Sequence, residues 1–382
     1  MAEIEIGLGK LGRRSYGLDE LRLLPDRRTR DVDSIDLSCQ IDAYRLELPF
    51  LASAMDSVTS PATAVAIGQL GGLAVLDLEG LWTRHPDADE RLVELSELDG
   101  DKAVARMREL YSTPIDADLV ASRIHEIHEA GVIAAGAVSP RHVAAMAGTL
   151  LKAELDLVLI RGTVISAEHI GKSGSEVLNL KQFVRELETP VIVGGCVSYN
   201  AALHLMRTGA TGVLVGVDGG STASTADVIG VGSGMATAIA DVRAARMRHL
   251  DETGVYVQVI ADGGFRTGGQ IAKAVACGAD AVMIGSALAQ ALEAPGRGWH
   301  WSTSVVHPTL PQGRRVRVDQ VAPLEQLLLG PAPEPDGRLN IFGGLRKAMA
   351  TLGYESIKEL QKAELMIVHD HDRSQSMAVR GS

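Results

Sequence analysis

Three glycine-rich turns in the second half of the chain are the residues best suited to hold a ligand. Each turn follows a short apolar segment and precedes a helical pattern. Glycine lets the backbone approach an anion closely, and N–H groups at the start of a helix point towards it. Tight chain reversal explains one such turn, but three successive turns favour a phosphate site. The turns contain Gly219, Gly220, Ser221, Gly263, Gly264, Gly285 and Ser286.

A carboxylate stands immediately before the second turn. Asp262 ends the apolar segment "VQVIAD", so its side chain is expected at the end of a strand. A carboxylate accepts hydrogen bonds through both oxygens and therefore suits the two neighbouring hydroxyls of a sugar. Together with the phosphate site, Asp262 predicts a ribose 5′-phosphate as the ligand.

The residues after the first turn have the hydroxyl groups of a catalytic loop but no strong nucleophile. Residues 221–225 read Ser-Thr-Ala-Ser-Thr. A serine or threonine hydroxyl is a poor nucleophile without an adjacent base, so Ser224 is not an evident substitute. Cys196, which follows "VIVGG", is open to two interpretations. It is either a relocated nucleophile or a small apolar residue lining the pocket.

Eight short apolar segments with adjacent glycines supply the elements that must position these residues. Continuous runs of Val, Ile and Leu are typical of parallel strands buried on both faces. Helical patterns lie between them, and several end in glycine just before the next segment. This alternation predicts an α/β fold, a single (β/α)8 TIM barrel, with a doubly wound open sheet as the alternative. The segments cover 49–55, 73–78, 132–138, 157–162, 191–195, 212–217, 257–262 and 281–286.

The rest of the chain is expected to surround this barrel within one unit that spans 1–368. Residues 1–48 are polar and charged and are predicted to pack across one end. Residues 79–131 suit a helical insert, because they are too few for a second folded domain. After the eighth strand, 295–342 has the Pro- and Gly-rich composition of a flap, and 343–368 that of a helix pair.

Composition restricts the class of partner and the compartment. The formal charge of −11 argues against nonspecific nucleic-acid binding. The three cysteines are widely spaced, which favours a reduced, cytoplasmic protein. The sequence shows no signal-peptide pattern and no apolar run long enough to span a membrane, so no membrane partner is expected. The polar tail, 369–382, is expected to be disordered. Its "HDHD" run suits a weak metal site or, more simply, a solvated segment, and no other metal site is predicted.

Several motifs, taken together and in order, resemble the IMP dehydrogenase/GMP reductase family. They are "YGLDELRLLP" (16–25), "PFLASAMDSVTSP" (49–61), "IADGGFRTGGQIAKAVACGADAVMIGSALA" (260–289), "GGLRKAMATLGYESIKELQ" (343–361) and the loop after the predicted sixth strand. The short insert, without a pair of CBS domains, is similar to the CBS-lacking actinobacterial type of IMP dehydrogenase-related protein. The resemblance implies a purine nucleotide, IMP or GMP, as ligand, NAD or NADP(H) as co-substrate, and a homotetramer.

The resemblance also assigns roles to residues of this chain. Asp262 matches the ribose-binding aspartate of the family, and Ser53 and Met55 match residues beneath the base and the ribose. Thr225 and Glu293 match the threonine–glutamate pair that handles protons in GMP reductases; their simpler interpretations are a turn hydroxyl and a solvated residue. The family's phosphate-binding positions correspond to Gly220, Ser221, Gly263, Gly264, Gly285 and Ser286.

The nucleophile is the main departure from the family pattern. Family members carry it in a Ser-X-Cys-Thr-Thr run, and Ala223 occupies the cysteine position here. Alanine has no lone pair with which to attack C2 of the purine. Two hypotheses follow. The protein is a purine-nucleotide oxidoreductase, or it is a catalytically silent IMP- or GMP-binding regulator or sensor, which could assemble with an active paralogue.

Two further departures concern the direction of any reaction. The segment "LDLEG" lacks the His-Lys pair of conventional members, and "GWHWSTSVVHPTLPQG" lacks the Arg-Tyr pair that activates water in IMP dehydrogenases. Turnover, if present, is therefore expected in the GMP reductase direction. The flap also contains residues that either supply charge to the site or are solvated: His300, His307, Arg314 and Arg315.

Overall fold

The computed structural model describes residues 3–162, 164–167, 179–217, 219–306 and 313–368. Within them, eight parallel strands form a closed barrel, which confirms the predicted fold class. The eighth strand closes on the first with Val282 opposite Phe50, so the barrel has no edge strand and the open-sheet alternative is wrong. The barrel strands are β1 (Phe50–Ala52), β2 (Leu73–Asp77), β3 (Ala135–Val138), β4 (Leu157–Arg161), β5 (Val191–Cys196), β6 (Gly212–Val215), β7 (Gln258–Asp262) and β8 (Ala281–Ile284).

Both faces of the barrel strands are buried, which explains their uninterrupted apolar sequences. In β2, Leu73 and Val75 belong to the cluster that fills the barrel interior. Ala74 and Leu76 belong to the larger cluster that packs against the helices. Alternate residues of one strand therefore serve two cores.

Helices cover the outside of the barrel, and polar residues mark where they begin. The side chains of Ser60, Ser198 and Thr267 accept hydrogen bonds from backbone N–H groups in the first helical turn. The helices are α1 (Pro61–Gln69), α2 (Ala88–Ser96), α3 (Gly100–Ser112), α4 (Ala117–Glu129), α5 (Val143–Lys152), α6 (Leu180–Glu186), α7 (Tyr199–Met206), α8 (Thr225–Ile229), α9 (Met235–Thr253), α10 (Gly268–Cys277), α11 (Leu324–Leu329), α12 (Ile341–Leu352) and α13 (Ile357–Leu360).

A β-hairpin closes the amino-terminal end of the barrel. Its strands, Cys39–Ile41 and Tyr44–Leu46, contribute Ile41 and Leu46 to the interior cluster. The Tyr44 hydroxyl donates to Asp156 just before β4, at 3.0 Å. With this end plugged, the carboxyl ends of the strands remain as the open end.

The peripheral segments are short and mostly helical. Residues 79–131 contain α2, α3 and α4. The expected carboxyl-terminal helix pair corresponds to α12 and α13, but it is followed by a strand. Leu365–Ile367 pairs antiparallel with Leu21–Leu23, because this short apolar stretch finds a partner edge in the amino-terminal segment. Two further two-stranded sheets pair Glu3–Gly7 with Lys10–Arg13 and Trp299–His300 with Val316–Arg317.

Two sequence predictions fall partly outside the described residues. The tail with its "HDHD" run and His307 are not described. Among the residues that the structure describes, no group of three or more His, Cys, Asp or Glu side chains is arranged to hold a metal. In the same ranges, no helix has both the length and the apolar character needed to cross a bilayer.

Candidate functional site

The carboxyl ends of the barrel strands surround one cavity of about 1000 Å³. This is the end at which (β/α)8 barrels carry their ligand sites. Residues after β1, β6, β7 and β8 line it together, although they are far apart in the sequence. The predicted site residues that line the cavity are Ser53, Met55, Gly220, Ala223, Thr225, Asp262, Gly263, Gly264, Gly285 and Ser286.

The turns after β6 and β7 meet backbone to backbone. A Cβ atom on Gly219 would lie 2.4 Å from the Cα of Gly263, a distance that no side chain tolerates. Gly263 itself has a φ of +144°, which L side chains rarely adopt. Glycine is therefore required at both positions, and the wall formed here exposes main chain to the cavity.

Hydroxyl groups connect the turns after β6 and β8. The Ser221 N–H donates to the Ser286 Oγ at 3.2 Å, and the two Oγ atoms are 2.9 Å apart. Ser221 does not itself line the cavity, but it holds Ser286, which does. The three glycine turns thus form one continuous wall of backbone and hydroxyl groups, the composition expected of an anion site.

His300 is part of this wall, whereas its simpler interpretation was a solvated flap residue. Its imidazole is buried, with Nδ1 2.9 Å from the Ser57 Oγ and Nε2 3.3 Å from the Ser286 Oγ. Burial, with a smaller contribution from the Arg161 charge, lowers the pKa of His300 to about 4. The imidazole is therefore neutral at physiological pH, and its placement depends on the sheet that Trp299–His300 forms with Val316–Arg317.

Arg161, which the sequence analysis did not single out, faces Asp262 across the cavity floor. Its Nη2 lies 3.4 Å from the Asp262 Oδ2. Burial raises the pKa of Asp262, and the Arg161 charge opposes this effect. Arg161 is the last residue of β4, just as Asp262 is the last residue of β7. A charged residue at the end of an apolar segment is therefore the sequence signal that could have identified Arg161.

A second wall, on the side of β2 and β3, consists of ionisable side chains. The His142 Nδ1 lies 2.6 Å from the Glu79 Oε2, and the Ser139 N–H donates to the other oxygen of Glu79. Asp77 accepts from the Glu79 N–H at 2.9 Å. Burial, reinforced by the nearby charges of Asp56 and Glu79, raises the pKa of Asp77 well above its usual range. The segment "LDLEG", which lacks a His-Lys pair, supplies Asp77 and Glu79 to this wall.

Glu293 does not join Thr225 in the cavity. One of its carboxylate oxygens, Oε2, accepts from the Leu324 N–H at 2.8 Å, at the start of α11. Glu293 lines a separate cavity of about 410 Å³ beside Trp82 and Arg123. The chain leaves the barrel mouth after the short helical turn Leu288–Gln290, which carries Glu293 outside the ring of strands.

Cys196 fits neither interpretation offered by the sequence. Its Sγ donates to the Leu214 carbonyl at 3.3 Å, and the residue belongs to the core between barrel and helices. It is not among the residues that line the cavity. Burial raises the pKa of the thiol to about 12, so a thiolate is not available there.

Flap residues lie directly on the loop that contains Ala223. Gly313 pairs with Ala223 in an antiparallel bridge, and the Arg314 N–H donates to the Thr222 carbonyl at 2.9 Å. The Arg314 guanidinium also pairs with Asp227 at 2.5 Å. Arg315 instead stacks over the Trp299 ring at 3.6 Å. Arg314 and Arg315 thus hold the flap in place.

Comparison with known proteins agrees with this architecture. Residues 15–306 match the model of the IMP dehydrogenase / GMP reductase domain. An uncharacterized oxidoreductase of Mycolicibacterium smegmatis is 45% identical over 95% of this chain and 99% of its own length. An inosine-5′-monophosphate dehydrogenase of Methanocaldococcus jannaschii is 23% identical over 94% of this chain and 95% of its own.

A solved structure shares the whole fold. The crystal structure of an IMP dehydrogenase/GMP reductase-like protein from Corynebacterium glutamicum has a TM-score of 0.90 and 42% sequence identity, and the match covers 96% of this chain and 97% of that one. Fold and cavity define a (β/α)8-barrel protein with a ligand-sized site at the carboxyl ends of its strands. More particularly, the chain belongs to the IMP dehydrogenase/GMP reductase family of oxidoreductases.

The contact between Gly219 and Gly263 predicts a sharp difference between adjacent glycines. Gly219→Ala is expected to lower the free energy of unfolding by about 1–3 kcal/mol, because its Cβ overlaps backbone that cannot move aside. Gly220→Ala is the matched control, since its Cβ would meet only the Ser286 Oγ at 3.6 Å. Urea unfolding measures both. Equal stability of the two variants would contradict the close approach.

The buried neutral imidazole of His300 predicts a pH-dependent stability. Because its folded-state pKa of about 4 lies below the ordinary value of 6.5, its contribution is complete above pH 6.5 and is lost as the pH falls towards 4. The loss from this group is about 3 kcal/mol. His300→Asn should therefore lose less stability than the wild type between pH 7 and pH 4. Urea unfolding measures the free energy of unfolding of both proteins against pH. If the two proteins lose the same amount between pH 7 and pH 4, His300 is not buried as described.

Proposed function

We propose that the cavity binds a purine nucleoside 5′-monophosphate, IMP or GMP. The observation that carries this proposal is the convergence of three glycine turns and the Asp262 carboxylate on one cavity at the open end of the barrel. Ser53 and Met55 lie beneath the base and ribose. The phosphate is held by Gly220, Gly263, Gly264, Gly285 and Ser286, and Ser221 supports it indirectly by holding Ser286 in place.

The phosphate and the ribose of the nucleotide need different hydrogen-bonding partners, and we propose that the glycine turns and Asp262 supply them. Backbone N–H groups and the Ser286 hydroxyl neutralise the phosphate oxygens without a buried cation. Asp262 accepts hydrogen bonds from both ribose hydroxyls while Arg161 stays beside it, at 3.4 Å, to balance the buried charge. Arg161 is therefore a further candidate for contact with the ligand.

The volume of the cavity supports a second ligand, which we propose is NAD or NADP(H). About 1000 Å³ is the upper end of the range for ligand pockets and exceeds the need of one mononucleotide. The ionisable wall of Glu79 and His142 lies across the barrel from the glycine turns, and Arg161 lies on the cavity floor beside Asp262. These residues would hold and orient the nicotinamide end, which donates or accepts a hydride when it is bound.

The absent nucleophile supports a second candidate function. Ala223 occupies the loop that faces the cavity, and Cys196 points into the core with a pKa of about 12. Thr225 lines the cavity without Glu293 beside it. A catalytically silent nucleotide-binding regulator or sensor is therefore the alternative, alone or with an active paralogue. If the protein does turn over, we propose the GMP reductase direction.

We further propose that the protein is cytoplasmic and assembles with copies of itself, as a homotetramer. The compartment is proposed from the three widely spaced cysteines, and the homotetramer from the sequence resemblance to the family. The oligomer is independent of whether nucleotide chemistry occurs, and sedimentation of the full chain without nucleotide tests it.

Binding of IMP or GMP should depend on the Asp262 carboxylate. Asp262→Asn is expected to weaken binding about tenfold or more, because two charge-assisted hydrogen bonds to ribose are lost. Titration calorimetry measures the effect. Asp251→Asn, which changes an exposed carboxylate on α9, is the matched control and should bind like the wild type. Undetectable binding by the wild type, or equal affinity of both variants, would overturn the nucleotide site.

Turnover separates the two candidate functions. Nicotinamide absorbance is followed with GMP plus NADPH and with IMP plus NAD, for wild type, Ala223→Cys and Cys196→Ala. We expect little or no turnover by wild type and a gain by Ala223→Cys, since the thiol restores a covalent route worth several orders of magnitude. Wild-type turnover that survives Cys196→Ala would exclude the silent binder and require a route without a cysteine nucleophile. If none of the three proteins shows turnover, nucleotide binding is the only function that remains for the site.

A further inference from the structure

The helical insert between β2 and β3 holds the flap through side-chain contacts. The Trp299 Nε1 donates to the Ser96 carbonyl at 3.0 Å. The Arg315 guanidinium donates to the carbonyls of Leu95 and Leu98, at 2.7 and 2.8 Å. These carbonyls lie at the end of α2, where a helix leaves its last acceptors without partners in its own backbone. The insert therefore fixes the flap at two points.

A third contact joins the insert and the flap to the loop after β1. The Trp301 Nε1 donates to the Tyr111 hydroxyl at 3.0 Å, and this hydroxyl donates to the Asp56 Oδ2 at 2.5 Å. Both Trp301 and Asp56 are buried. An indole N–H can only donate and an ionised carboxylate can only accept, so the group between them must do both. The hydroxyl of Tyr111, on α3, meets this requirement.

The charge of Asp56 strengthens the contact. Burial raises the pKa of Asp56 to about 6, and the hydrogen bonds from Tyr111 and the Leu81 N–H oppose the rise. Burial and the Asp56 charge raise the pKa of Tyr111 well above its usual range. At neutral pH the phenol therefore keeps its proton beside an ionised carboxylate. A length of 2.5 Å is that of a charge-assisted O–H···O⁻ bond, which is stronger than a bond between neutral groups.

Trp301 carries this fixed position to the wall of glycine turns. Ser57, which follows Asp56 in the chain, contacts two neighbouring flap residues. Its Oγ accepts from the Trp301 N–H at 3.3 Å and lies 2.9 Å from the His300 Nδ1. The other ring nitrogen of His300 lies 3.3 Å from the Ser286 Oγ. Two adjacent residues after β1 thus place two adjacent flap residues, one of which contacts the wall.

We propose that Tyr111 is a positioning residue of the ligand site, whose hydroxyl holds Trp301 and, through it, His300 against the wall of glycine turns. Tyr111 also lines the cavity, although it comes from the insert and not from the end of a strand. The insert thereby sets the position of the flap over the site. Its hold on the flap is independent of any ligand, whereas an effect on nucleotide affinity rests on the proposed function.

Hydrogen exchange of the full chain without nucleotide tests the hold on the flap. Tyr111→Phe keeps the aromatic ring but removes both hydrogen bonds, so amide exchange in flap peptides from 297–306 should become about tenfold faster or more. Peptides from the barrel strands should exchange as in the wild type. Tyr44→Phe is the matched control, because it removes the hydroxyl that donates to Asp156 at the closed end of the barrel.

The control variant should leave exchange in the flap unchanged. Three results would each overturn the proposal. They are flap exchange in Tyr111→Phe equal to that of the wild type, equal acceleration by both tyrosine variants, and acceleration in the barrel strands as large as in the flap.

A double variant shows whether Tyr111 acts through Trp301. Trp301→Phe alone should also accelerate exchange in the flap. Adding Tyr111→Phe to it should change the rate by less than about twofold, because the contact between the two side chains is already absent. A general loss of packing would instead make the two effects multiply, and that result would overturn the assigned role.

Calorimetric titration with IMP tests the consequence for the site. Tyr111→Phe should weaken IMP binding about fivefold or more, since His300 is held less firmly beside Ser286, and Tyr44→Phe should bind like the wild type. Equal affinity of wild type and Tyr111→Phe would overturn a role for Tyr111 in the site. A wild type that binds no IMP would refute the proposed nucleotide site, whereas the exchange experiment would still decide the hold on the flap.

Discussion

The backbone contact between the turns after β6 and β7 is the constraint on which the candidate site depends. Gly219 and Gly263 approach so closely that neither position has room for a Cβ. This contact sets Asp262 beside the turn after β6, and the hydrogen bonds between Ser221 and Ser286 add the turn after β8. One wall of the cavity is therefore main chain, and its shape does not vary with side-chain rotamers.

The ionisable groups of the cavity follow a different rule, since their properties come from charge and burial. Burial raises the pKa values of Asp77 and Asp262 and lowers that of His300, which in each case favours the neutral form. Arg161 lies among these groups and opposes the effect on the two carboxylates. The cavity thus combines a rigid main-chain wall with buried groups that can hold protons.

The loop that contains Ala223 is held from two directions. Gly313 bridges to Ala223 on the side of the flap, and α8 begins two residues later on the side of the barrel. The loop is therefore bound to its surroundings on both sides. The cysteine nearest to Ala223 in the sequence, Cys196, does not line the cavity, because the strand that carries it turns the thiol towards the helices.

The sequence by itself determined the eight strands, the three glycine turns, the strand-end carboxylate Asp262 and the absence of cysteine from residues 216–234. These features depend on residues adjacent in the chain, whose periodicity and turn chemistry reflect local backbone preferences. Only the tertiary structure decided that Arg161 faces Asp262, that His300 is buried and that Glu293 lies in a separate cavity. Such facts depend on which strand ends meet across a closed barrel and on how deeply each group is buried.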